Sequence, residues 1–99
     1  MTRPDFAERY GPWALIAGAS EGIGASFAHR IASSGVNVVL VARRSEPLEE
    51  LAVAVTKSTH AEVRTAAVDL TSPTLLDDLA PVVDDIDVGL LVYNAGAVH

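Results

Sequence analysis

The chain has 99 residues, room for one domain and not for two. Apolar residues make up 49 % of it, which excludes a disordered tail, since that much apolar surface can offset the entropy of ordering. Seven Lys and Arg against thirteen Asp and Glu leave a net charge of −6, so there is no overall positive field to draw the chain to nucleic acid or anionic lipid. Cysteine is absent, which excludes disulfides and thiolate metal sites. Arg3, Asp5, Glu8 and Arg9 interrupt the first dozen residues, so these cannot serve as the apolar core of a secretory signal. The longest apolar runs, 38–42 and 90–93, fall far short of the roughly 18–20 residues of a membrane span. A soluble, cytoplasmic protein is expected.

In chain order, a short helix is expected over 4–10, then a first apolar run, 13–17, stopped by Gly18. Ile23, Phe27 and Ile31 recur every four residues and predict an amphipathic helix closed by Gly35. The valine-rich stretch 36–42 reads as a strand buried on both faces. Ser45 offers a cap and Pro47 a preset first turn for a second helix, whose stripe is Leu48, Leu51, Ala52 and Val55. A weaker strand over 62–68 runs to Asp69. Ser72 and Pro73 repeat the start signal ahead of a stripe of Leu75, Leu76 and Leu79, and Pro81 should end or kink that helix. A last strand, 88–93, ends at Asn94-Ala95-Gly96. Alternating strands and helices, with strands that look buried, predict an α/β fold: a doubly wound parallel sheet, or the first part of one.

Between the first strand and the helix after it lies Gly18-Ala19-Ser20-Glu21-Gly22-Ile23-Gly24. A bound pyrophosphate needs free main-chain N–H groups, a helix N-terminus beneath it and no Cβ where the backbone comes close. Gly18 suits the sharp exit from the strand, Gly22 the approach to the ligand and Gly24 tight packing of helix on sheet. Ser20 adds a hydroxyl, and Ile23 completes the phosphate-facing turn. Three glycines could also form no more than a flexible turn. The strand before them and the helix after them match the context of a Rossmann-type dinucleotide fingerprint instead.

That fingerprint expects an acidic residue about 20 positions on, to hold the adenosine ribose 2′-hydroxyl. Here Ala42, Arg43 and Arg44 stand there. A carboxylate would repel a 2′-phosphate, whereas an arginine fork grips one through charge-assisted bonds. NADP(H) is therefore the expected cofactor, through Arg43 with Arg44 as helper, and NAD(H) the alternative. As ordinary solvated residues ahead of a helix, the two arginines would imply no such preference.

With these residues in view, the chain resembles the N-terminal, cofactor-binding half of a short-chain dehydrogenase/reductase, from about Trp13 to Gly96. The resemblance rests on Gly18-x-x-x-Gly22-x-Gly24, on Asp69 after the third strand and on Asn94-Ala95-Gly96 after the fourth. It implies that Asp69 accepts a bond from the adenine amino group, with Leu70 adding backbone contacts. It also implies that Asn94 ties neighbouring strands together, and that Ala95 and Gly96 pass close to the cofactor ribose. Asp69 could instead cap the turn into Thr71 and Ser72, and Asn94 could be simple turn chemistry. Three positions depart from the family pattern: Ala17 replaces a frequent threonine and Tyr93 the first of two asparagines. Glu21 stands where NADP(H)-preferring members often carry a basic residue.

The family reaction moves a hydride between nicotinamide and a carbonyl or alcohol carbon of a small-molecule substrate. A serine orients the substrate oxygen, and a tyrosine acts as general acid/base. A lysine four residues later lowers the tyrosine pKa, since a phenol needs a nearby cation to titrate below its ordinary value of about 10. That pair is absent here: Tyr10 and Tyr93 are followed at four residues by Ala14 and Ala97, and the only lysine, Lys57, follows Val53. The last strand is apolar on both faces, with nothing after it to pair or cover it. A single partial domain spanning 1–99 of a longer enzyme is expected, without catalytic residues and inactive alone. The alternatives are a non-catalytic nucleotide-binding module of the same fold, or another Rossmann-type enzyme such as an S-adenosylmethionine-dependent methyltransferase, against which Ala42-Arg43-Arg44 argues. The resemblance leaves self-association of a full-length form open. His29, His60 and His99 are scattered, and the acidic residues from Asp77 to Asp87 read as a solvated face rather than a metal site.

Overall fold

The computed structural model describes residues 12–19 and 22–93. The elements are β1 (Trp13–Ala17), α1 (Gly22–Ser33), β2 (Asn37–Ala42), α2 (Ser45–Thr59), β3 (Val63–Ala67), α3 (Leu75–Val83) and β4 (Val88–Tyr93). The helix expected over 4–10 and the Asn94-Ala95-Gly96 turn lie outside the described residues. All strand pairs are parallel, in the order β3-β2-β1-β4. Strand order therefore reverses beside β1. The chain first builds outward from β1 through β2 to β3, then returns to place β4 on the other side.

Alternation along each strand sends side chains to two faces. Ala14, Ile16, Val38, Leu40 and Ala42 meet Ala28, Ile31 and Ala32 of α1 and Leu48 and Val55 of α2. Trp13, Leu15, Ala17, Val39, Val41 and Ala66 form the opposite face, where Leu79, Val82, Val83 and Ile86 pack. Burial on both faces is what the near-continuous apolar β1 and β2 require. At the sheet edge, β4 is less enclosed, and Leu91 remains 67 % exposed.

Helix ends follow the sequence in part. After α1, Gly35 takes φ 94°, which a side chain would strain, and its N–H donates to Ala32 O at 3.1 Å. For α2, the capping residue is Arg44, with no side-chain cap, and Ser45 is already helical. Pro47 still falls in the first turn, where its missing N–H costs nothing. A left-handed His60 at φ 61° ends α2 without any glycine. Pro81 does not stop α3, which continues through Val82 and Val83. Those two valines gain burial against the sheet that ending at Ala80 would forgo. The face of α3 that packs carries Leu79, Val82 and Val83, so Leu76, expected in the stripe, is 82 % exposed.

Near the start of β3, Arg64 ties the layers together. Its guanidinium lies 4.9 Å from the centre of the Trp13 ring. It donates to Val82 O at 2.8 Å and to both Asp85 oxygens at 2.7 and 3.1 Å. These bonds hold the Asp85 carboxyl below the usual carboxylate range and push the Arg64 guanidinium above its own.

Candidate cofactor site

In an open parallel sheet, ligands bind beyond the carboxyl ends of the strands, where strand order reverses. Here that place is the end of β1, and the chain leaves it through Gly18 at φ 79°. The N–H groups of Gly18 and Ala19 both donate to Val41 O, at 2.8 and 3.1 Å. These two amides are thus committed to holding the turn against β2 and are not offered to a ligand. Ser20 and Glu21 lie outside the described residues. Gly22, Ile23, Gly24 and Ala25 open α1, and the first four amides of a helix have no partner within it. The first turn of α1 holds no acidic residue, so the positive end of its dipole is uncompensated within the helix.

Gly24 is required by packing. A Cβ on it would fall on the Gly18 carbonyl oxygen and within 3.0 Å of Ala19 Cα. Only a residue without a side chain lets α1 start this close to the exit of β1. Helix α1 thus begins directly against the exit of β1, so that its N-terminus lies close to the end of that strand.

The ends of β2 and β3 lie alongside. Ala42 pairs with Ala67, and the Val68 N–H extends the ladder to Ala42 O at 2.9 Å. Arg43 and Arg44 follow β2 and are exposed, and Asp69 follows β3, also exposed. Asp69 Oδ1 accepts from the Thr71 N–H at 2.9 Å and the Thr71 hydroxyl at 2.7 Å. Its carbonyl accepts from the Ser72 N–H at 3.0 Å. The two Thr71 bonds, with a smaller contribution from the Arg43 charge, hold the Asp69 carboxyl below its ordinary range. Leu70 turns inward and packs with the Leu15 and Val41 face.

The structure therefore brings Gly18, Gly24, Arg43, Arg44, Asp69 and Leu70 to the carboxyl end of the sheet. Asn94, Ala95 and Gly96 lie outside the described residues. One contributor escaped the sequence reading, and a second was named there only as a turn partner of Asp69. Val41 supplies a backbone acceptor, which leaves no side-chain signature. Thr71 was legible, because an aspartate two residues before a threonine is an Asx-turn pattern.

A family profile described as short chain dehydrogenase matches residues 12–99. The chain is 41 % identical over 91 residues to a 7beta-hydroxysteroid dehydrogenase of Clostridium sardiniense, covering 92 % of this chain and 35 % of that protein. A solved structure of a 7beta-hydroxysteroid dehydrogenase superposes with a TM-score of 0.85 at 36 % identity, over 91 % of this chain and 35 % of the other. The L-sorbose reductase of Gluconobacter frateurii, solved with NADPH and L-sorbose, superposes with a TM-score of 0.76 at 34 % identity, over 89 % and 34 %. The chain thus spans about a third of the length of the relatives it matches. No helix among the described residues is long and apolar enough to cross a membrane. Profile and superposed structures agree with the parallel sheet and its glycine turn: the chain belongs to the short-chain dehydrogenase family.

Proposed function

We propose that this chain is the NADP(H)-binding part of a cytoplasmic oxidoreductase acting on a small carbonyl or alcohol substrate. Gly18, Ser20, Gly22, Ile23 and Gly24 would surround the pyrophosphate. Arg43, helped by Arg44, would hold the ribose 2′-phosphate, with Asp69 and Leu70 at the adenine and Asn94, Ala95 and Gly96 towards the ribose. Nicotinamide supplies the hydride donor or acceptor. The chain's own residues bind and orient the dinucleotide, and without a Tyr-x-x-x-Lys pair these 99 residues would bind it without turning substrate over.

One observation carries the preference for NADP(H): two exposed arginines and no carboxylate stand at the end of β2, beside the glycine turn. The NADPH complex of the L-sorbose reductase supports the same cofactor class. Titration of the chain with NADPH and NADH tests the reading. A charge-assisted bond contributes about 1.5–3 kcal/mol, so Arg43→Ala should weaken NADPH about ten- to hundredfold. NADH binding should hardly change. Equal affinities of the unsubstituted chain for the two cofactors would remove the claim.

A further inference from the structure

We propose that Thr71 is a positioning residue for base recognition: it saturates one carboxylate oxygen of Asp69, so that the other alone reads the adenine amino group. The inference rests on the cofactor reading above and adds to it the residue that makes that reading selective. Both Thr71 bonds, from N–H and from hydroxyl, end on the same oxygen, Oδ1, at 2.9 and 2.7 Å. An oxygen of an ionised carboxylate has two lone-pair sites, and these two donors fill them. Oδ2 has no hydrogen-bond partner among the described residues and is left for a ligand donor.

The carboxylate is also held in place rather than merely present. Its backbone is anchored by the Val68–Ala42 bond on one side and the Ser72–Asp69 bond on the other. Its side chain is pinned through Oδ1, so a ligand does not have to freeze it on binding. Kept ionised, it only accepts. Adenine presents a donor, its exocyclic amino group, where hypoxanthine presents a carbonyl oxygen, so a fixed Oδ2 attracts the first and repels the second. Without the Thr71 hydroxyl, only the backbone N–H would remain on Oδ1. The carboxylate could then turn away from a mismatched base, and discrimination would fall.

The test is a comparison of NADPH with the reduced nicotinamide hypoxanthine dinucleotide phosphate, titrated against the chain and its Thr71→Val and Thr71→Ser variants. The unsubstituted chain should prefer the adenine form about tenfold, the scale of one hydrogen bond to a charged group. Thr71→Val should bring that ratio down to about two- or threefold, chiefly by weakening the adenine form, and Thr71→Ser, which keeps the donor, should retain it. A full ratio in Thr71→Val, or equal loss of both nucleotides, would overturn the role of Thr71 alone. A ratio near one in the unsubstituted chain would overturn base reading by Asp69 along with it. Binding of neither nucleotide would overturn the cofactor reading itself.

Discussion

Replacing Gly24 by alanine should destabilise the fold even though alanine is the better helix former. The new Cβ falls on the Gly18 carbonyl oxygen, and Gly18 cannot withdraw, since its own N–H and that of Ala19 are held by Val41 O. The strain must be relieved by α1, whose first turn would move off the sheet and loosen Ala28, Ile31 and Ala32, all buried beneath it. Overpacking of this kind costs about 1–3 kcal/mol. The helix-propensity gain of alanine over glycine, at most about 1 kcal/mol in a helix interior, offsets part of that and less so in a first turn. A net loss of about 1–2 kcal/mol lowers the Tm of a domain this size by about 5–15 °C, since each kcal/mol shifts it by about 4–8 °C. Thermal unfolding followed by circular dichroism measures it. Ser26→Ala, at an exposed position of the same helix, is the control and should stay within about 0.5 kcal/mol. A Gly24→Ala chain as stable as the original would refute the close approach of α1 to β1.

Leu48 is fully buried and Leu76 is 82 % exposed, so truncation should separate them. In urea unfolding, Leu48→Ala should cost about 2–5 kcal/mol and Leu76→Ala no more than about 0.5. Asp85 titrates below its ordinary value in the folded chain because of Arg64, so its contribution to stability is present above the unfolded carboxylate pKa of about 3.9 and is lost as pH falls through the folded one. The Tm difference between the unsubstituted chain and Asp85→Asn should be full at neutral pH and close below about pH 4. A difference that persists in acid would mean that the ion pair does not hold α3 to the sheet.

β1 and β2 were legible because burial on both faces leaves almost no polar residue to blur the run, as in Trp13-Ala14-Leu15-Ile16-Ala17, whereas β3, with Arg64 and Thr65 and only Ala66 buried, read more weakly. Helix ends were less so. Ser45 and Ser72 carry the right chemistry for caps, but α2 starts with Ser45 already helical, and Thr74 precedes α3 without a side-chain cap. Leu76 shows why a stripe read from three leucines can mislead. Tertiary contacts choose which face of α3 turns inward, and they choose the one that also carries Val82 and Val83 beyond the proline. In the candidate site the placement of Gly18, Arg43 and Asp69 at the ends of β1, β2 and β3 was legible, because the apolar runs that precede them mark the strands. The pinning of Asp69 needed coordinates, since an Asx pattern does not say which oxygen is used or whether both donors converge on it.

What unites the site is the end of β2, whose last two carbonyls serve different neighbours. Val41 O takes the two amides that leave β1, and Ala42 O takes the amide that leaves β3. Alternation along a strand makes this division unavoidable, because successive carbonyls point to opposite sides within the sheet. The residue that follows, Arg43, therefore emerges between the glycine turn and Asp69, with no side chain needed to place it. The position is specified by backbone pairing, while the proposed cofactor preference would rest on the side chain standing on it. On the proposed reading, substitutions at Arg43 should therefore change the preferred dinucleotide without disturbing the fold. Those at Gly24, where backbone meets backbone, cannot.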